Sequence, residues 1–105
     1  MENEVFLGTE LKLNINIEPM ESFTMDDYDW NVEVWTSTKR LMVISKEQAI
    51  RIDNSNYVIL IDTNELGAGD VKAKVTAYIP DFDFPDTTRT EVVGISLGIK
   101  VQKSM

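Results

Sequence analysis

The residues best placed to do chemistry are the carboxylates of two loops. The first, 18–29, carries Glu18, Glu21, Asp26, Asp27 and Asp29 and no basic residue. The second runs Pro80-Asp81-Phe82-Asp83-Phe84-Pro85-Asp86. Hard cations such as Ca²⁺ favour clustered carboxylate and carbonyl oxygens. If the loops meet at one end of the domain, Asp26, Asp27, Asp81 and Asp83 are the candidate calcium ligands. The spacing is not that of an EF-hand, and aspartate also serves turns and helix caps without any metal. A glycosidase-type carboxylate pair is weaker still, because nothing in the sequence fixes the separation of two acids.

Other catalytic equipment is missing. Histidine and cysteine are both absent. The commonest general base, the usual transition-metal ligand, thiolate sites, disulfides and the Ser-His-Asp arrangement are thereby removed. Gly67-Ala68-Gly69 lacks the lysine of a phosphate-binding loop and is not followed by a helical pattern, so it reads as a turn into a strand. No enzymatic function and no required cofactor are expected.

Aromatic residues suggest recognition instead. On a regular strand Trp30 and Trp35 fall on opposite faces. Trp30 then belongs to the core, while Trp35 is partly exposed. Tyr78 also faces outward. Exposed Trp and Tyr anchor protein interfaces or stack on sugars. Phe82 and Phe84 would plug the end of the core or reach a neighbouring subunit, the plug being slightly favoured. Lys72, Lys74 and Lys100 lie on outer strand faces, where they meet water or pair with acids of an adjacent copy.

The elements that position these residues are strands. Leu11, Leu13, Ile15 and Ile17 alternate with Lys12, Asn14, Asn16 and Glu18, the period-two pattern of a half-buried strand. Val71, Ala73, Val75, Ala77 and Ile79 alternate with Lys72, Lys74, Thr76 and Tyr78 until Pro80, which has no N–H to donate. Val93, Ile95, Leu97, Ile99 and Val101 alternate with Gly94, Ser96, Gly98 and Lys100. The two glycines mark a bulge or a place where other groups approach the outer face. Asp29–Ser37, Leu41–Ser45, Gln48–Asp53 and Asn56–Asp62 complete the set. The continuous apolar run Tyr57–Ile61 suggests a central strand covered on both sides. Ser37–Arg40 and Asn54–Asn56 read as turns. Thr63–Leu66 is the one helical candidate, capped by Asp62 or Thr63 and ended by Gly67.

Seven short strands at roughly ten-residue spacing predict a single all-β domain over 1–105, an immunoglobulin-like antiparallel β-sandwich. A length of 105 residues with 43% apolar and 27% charged content suits one ordinary core. Eighteen acidic against ten basic residues give a net charge of −8, which phosphate backbones and anionic membranes repel. No nucleic-acid or membrane partner is expected. The start Met-Glu-Asn-Glu has neither a cationic segment nor an apolar one, so no signal peptide is expected. No apolar run approaches the roughly 18 residues of a membrane helix.

Four stretches carry a family resemblance: LGTELKLN at 7–14, MDDYDW at 25–30, DTNELGAG at 62–69 and IPDFDFPDTTRTE at 79–91. With them the chain resembles, over nearly its whole length, small proteins encoded among virion genes of tailed phages, including crAss-like phages of gut anaerobes. More distantly it resembles the N-terminal immunoglobulin-like domains of phage baseplate and fibre proteins. The resemblance implies a non-enzymatic structural component of a head or tail fibre, a homo-oligomer contacting other virion proteins, assembled in the host cytoplasm. It carries over no catalytic residue. Candidate interface residues are Trp35, Tyr78, Phe82, Phe84, Gly94 and Gly98. The alternative is a carbohydrate-binding or adhesin-type module using Trp35, Tyr78 and the acidic loops, with calcium assisting.

Overall fold

A computed structural model describes residues 3–17, 23–37 and 41–103. Their strands are β1 (Asn3–Phe6), β2 (Glu10–Asn16), β3 (Asp29–Trp35), β4 (Leu41–Ser45), β5 (Ile50–Asp53), β6 (Asn56–Asp62), β7 (Gly69–Pro80) and β8 (Thr88–Gln102). One helical turn, α1 (Thr63–Leu66), joins β6 to β7, and a 3₁₀ turn, Lys46–Gln48, joins β4 to β5. No helix among the described residues is long and apolar enough to cross a membrane.

The strands form two sheets. A five-stranded sheet has the order β1-β8-β7-β3-β4, and a three-stranded sheet has the order β2-β6-β5. All pairings are antiparallel except β1 with β8. The core lies between the sheets. Leu13, Ile15, Tyr57, Ile59 and Ile61 come from one side and Trp30, Val32, Val34, Val71, Val75 and Ile79 from the other. These are the alternate positions that the period-two pattern selects. The Trp30 ring meets Tyr57 edge-on at 4.9 Å, and its Nε1 donates to the Met25 carbonyl at 3.3 Å. The indole thus fills the core with its one polar atom satisfied.

The structure corrects three expectations. There are eight described strands, not seven. The extra one, β1, is four residues long and pairs in parallel with the end of β8 (Val5 opposite Val101), and so short a segment cannot display alternation. β6 is central in its sheet but covered on one face only, for Leu60 remains 57% exposed. Val93, expected inside, is 58% exposed, although its partner Val75 is buried. A three-stranded sheet cannot cover all of a five-stranded one.

Two details fix the frame. Asp62 caps α1 by accepting from Asn64 N at 2.9 Å, and Gly67 ends it at φ 85°. Buried Thr63 accepts from Gly8 N at 2.9 Å and donates to the Thr9 carbonyl at 2.7 Å, so α1 anchors the β1–β2 connection. In β8 the ladder shifts between Asp70–Lys100 and Lys72–Ser96. One residue of β7 therefore faces Leu97, Gly98 and Ile99, and Gly98 takes φ 63° there. The shift is an even number of residues, so the inward and outward faces keep their identity on either side of the bulge. The segment Ser37–Arg40 lies mostly outside the described residues.

Candidate functional site

The outer face of the five-stranded sheet is built by the odd members of β3 and β4 and their partners. Trp35 stands opposite Leu41 and Lys72, and Glu33 opposite Val43 and Lys74. Lys72 faces Ser96, Lys74 faces Gly94, and Thr76 faces Val92. Leu41, Val43 and Val92 are exposed on this face, and Trp35 is half-buried. Lys74 bridges to Glu33 at 2.9 Å, a solvent-exposed pair that adds little stability. Where Gly94 and Gly98 withhold side chains, an open groove of about 640 Å³ forms, lined by Trp35, Lys72, Lys74, Val92, Gly94 and Gly98 together with Asp70 and aliphatic residues of the bulge. A Cβ built on Gly94 would meet nothing within 4 Å. Gly98 marks the bulge, one of the two expectations for these glycines; the other, a close approach of further groups, is not met at Gly94.

The second feature is the tip of the β7–β8 hairpin. Asp81 N donates to the Thr87 carbonyl at 3.0 Å, Phe84 N to the Asp81 carbonyl at 3.3 Å, and Thr87 N to the Phe84 carbonyl at 2.9 Å. Asp81 is fixed further by Arg89 Nη1 at 2.6 Å and by Asp83 N at 3.0 Å. This closed turn directs its side chains outward. Phe82 is 90% exposed and Phe84 44%, so neither plugs the core as expected. The core beneath is already filled by Met25, Tyr28, Trp30 and Ile79, all buried.

Tyr78 lies on the same outer face as Trp35, but its strand position is six residues from Lys72, the partner of Trp35. That is about 20 Å along β7, so the two rings do not form one platform.

The acidic loops do lie at one end, since β3 starts at Asp29 opposite Tyr78 and the tip follows Pro80. Their acids are used separately. Asp26 accepts from Arg51 Nε at 3.0 Å, Arg51 Nη2 at 2.8 Å and Tyr57 Oη at 2.6 Å. The Arg51 and Tyr57 hydrogen bonds hold its carboxyl down at about 2, and burial with the Asp26 bond pushes the Tyr57 phenol up to about 12. Lys46 Nζ donates to the Asp26 and Tyr28 carbonyls. Asp27 accepts from Thr24 N and Oγ1. Among the described residues no group of three or more acidic side chains is placed to hold a metal ion. Glu18 and Glu21 lie outside the described residues.

Three features here escape a reading of the sequence. One is the role of Arg51, which ties the first acidic loop to β5. Another is the exposure of Val92. Adjacent Val92-Val93 held the signal, because neighbours on a strand cannot both face one side. The third is a second apolar surface on the three-stranded sheet, where Ile50, Ile52 and Leu60 are exposed. Comparison of the chain with family models, with curated proteins and with solved structures finds no match.

Proposed function

We propose that the chain is a non-enzymatic assembly module of the immunoglobulin-like kind, serving as a virion structural protein in a head or tail fibre. The strand order supports the fold part of this reading. The orders β8-β7-β3-β4 and β2-β6-β5, with a core tryptophan on the third strand, are what an immunoglobulin-like sandwich would require. β1 lies along the last strand as an additional edge.

The observation that carries the functional part is the apolar surface left over once the core is complete. Phe82 projects from a hydrogen-bonded turn, and Leu41, Val43 and Val92 stand out from the broad sheet face. Contiguous exposed apolar groups mark contact surfaces, and Leu41 and Val43 stand together on edge strand β4 beside Trp35. The acids most able to act chemically are committed to Arg51, Tyr57, Thr24 and Arg89. A glycan-binding reading would draw on Trp35 and Tyr78, whose separation exceeds one sugar ring.

The test is made on particles. Phage particles purified from a producing culture are analysed by quantitative mass spectrometry and by antibody labelling in the electron microscope. Peptides of this chain at structural-protein stoichiometry, with label on fibres, support the reading. Intact particles lacking the chain refute it.

A further inference from the structure

The two surface features described above complement each other. The hairpin tip is aromatic and acidic, the groove apolar and rimmed by lysine. Asp83 and Asp86 have no cationic partner among the described residues. Lys74 on the groove rim is already bridged to Glu33, whereas Lys72 beside it has no acidic partner among the described residues. A volume of about 640 Å³ lies in the range of preformed binding pockets. The tip is held by its own hydrogen bonds, so little ordering cost falls on docking. It cannot reach the groove of its own chain. Asp81 is seven positions from Lys74, roughly 23 Å of strand.

We propose that Phe82 at the tip of one copy docks into the groove between Trp35, Lys72 and Gly94 of a second copy, with Asp83 and Asp86 facing the unpaired Lys72. The inference rests on the assembly reading and deepens it by naming the contact. Donor and acceptor patches differ, so the contact is head-to-tail. Each added copy presents a new tip and a new groove, and such contacts generate rings or fibres and not closed two-fold dimers. A single inserted hairpin tip is smaller than a standard interface, so pairs are weak and growth depends on concentration.

The test uses two variants that spoil opposite halves. Phe82→Ser removes the knob, and Gly94→Leu fills the groove at a position where added atoms meet open space. Both sites are exposed, and circular dichroism and melting confirm that each variant folds. In sedimentation equilibrium the wild-type mass should rise past dimer with concentration. Each variant alone should lose association by about tenfold or more. Their equimolar mixture should form a capped pair and grow no further, because one supplies the intact groove and the other the intact tip. Lys72→Glu should weaken growth and Lys72→Glu mixed with Asp83→Lys should restore part of it. A wild type that stays monomeric at its highest soluble concentration overturns the inference. So does one that stops at a dimer, or one whose growth ignores Phe82→Ser and Gly94→Leu. None of these results bears on whether the chain is found in particles, so the assembly reading stands or falls by its own test.

Discussion

The same substitution should have opposite signs at two glycines of this domain. Gly69 opens β7 at φ 127°, and a Cβ there would collide with Ser37 Oγ and lie 3.0 Å from Ser37 N. The hydroxyl can rotate away, but the backbone nitrogen cannot without moving the end of β3. A non-glycine residue held at such φ costs about 1–3 kcal/mol. Alanine gives back about 0.4–1 kcal/mol by restricting the unfolded chain. Adding the Ser37 clash, Gly69→Ala should destabilise by roughly 1–3 kcal/mol. Gly94 sits in the same hairpin in extended conformation with no atom within 4 Å of its Cβ position. There Ala should stabilise by about 0.5–1 kcal/mol, the usual advantage over glycine inside a strand. The two variants should therefore differ by roughly 2–4 kcal/mol, or about 10 °C or more in melting temperature for a domain of this size. Urea denaturation with unchanged m-values measures the difference. Equal stabilities, or a Gly94→Ala loss as large as that of Gly69→Ala, would refute the argument that local backbone geometry decides the outcome.

Thr63→Val should destabilise by about 1–3 kcal/mol, because it strands Gly8 N in a part-buried site, while the Thr9 carbonyl keeps the Thr63 backbone N–H as donor. Urea midpoints of the variant and of Thr63→Ser, which keeps the hydroxyl, separate this from lost packing, and Ser should recover most of the loss. Asp26 supplies the pH dependence. Its carboxyl sits at about 2 in the fold against 3.8 ordinarily, chiefly through Arg51 and then Tyr57. A lowered carboxyl pKa contributes stability that is complete above the unfolded value and is lost as pH falls through the folded one. The urea midpoint should fall between about pH 4 and about pH 2, and Asp26→Asn should flatten that slope. A slope unchanged by the substitution would remove Asp26 from the explanation.

The all-β class was legible in the chain because side chains on a strand alternate, and β2, β3 and β7 carry that alternation almost without exception. The division of labour between the tryptophans followed from parity alone: Trp30 is buried and Trp35 half-buried. The Asp62 cap and the Gly67 stop of α1 were local in origin and could be read locally. Parity says which residues share a face, but it does not say whether anything covers that face. Only the pairing of a three-stranded sheet with a five-stranded one left Val93 in solvent, and Leu60 is exposed because it faces away from the core on β6. The fate of Phe82 depended likewise on the core being full before the hairpin turned. The partnership of Asp26 with Arg51 and Tyr57 joins residues 25 and 31 positions apart. Distant contacts of that kind leave no period in a sequence, because they are set by how the sheets stack and where the loops land.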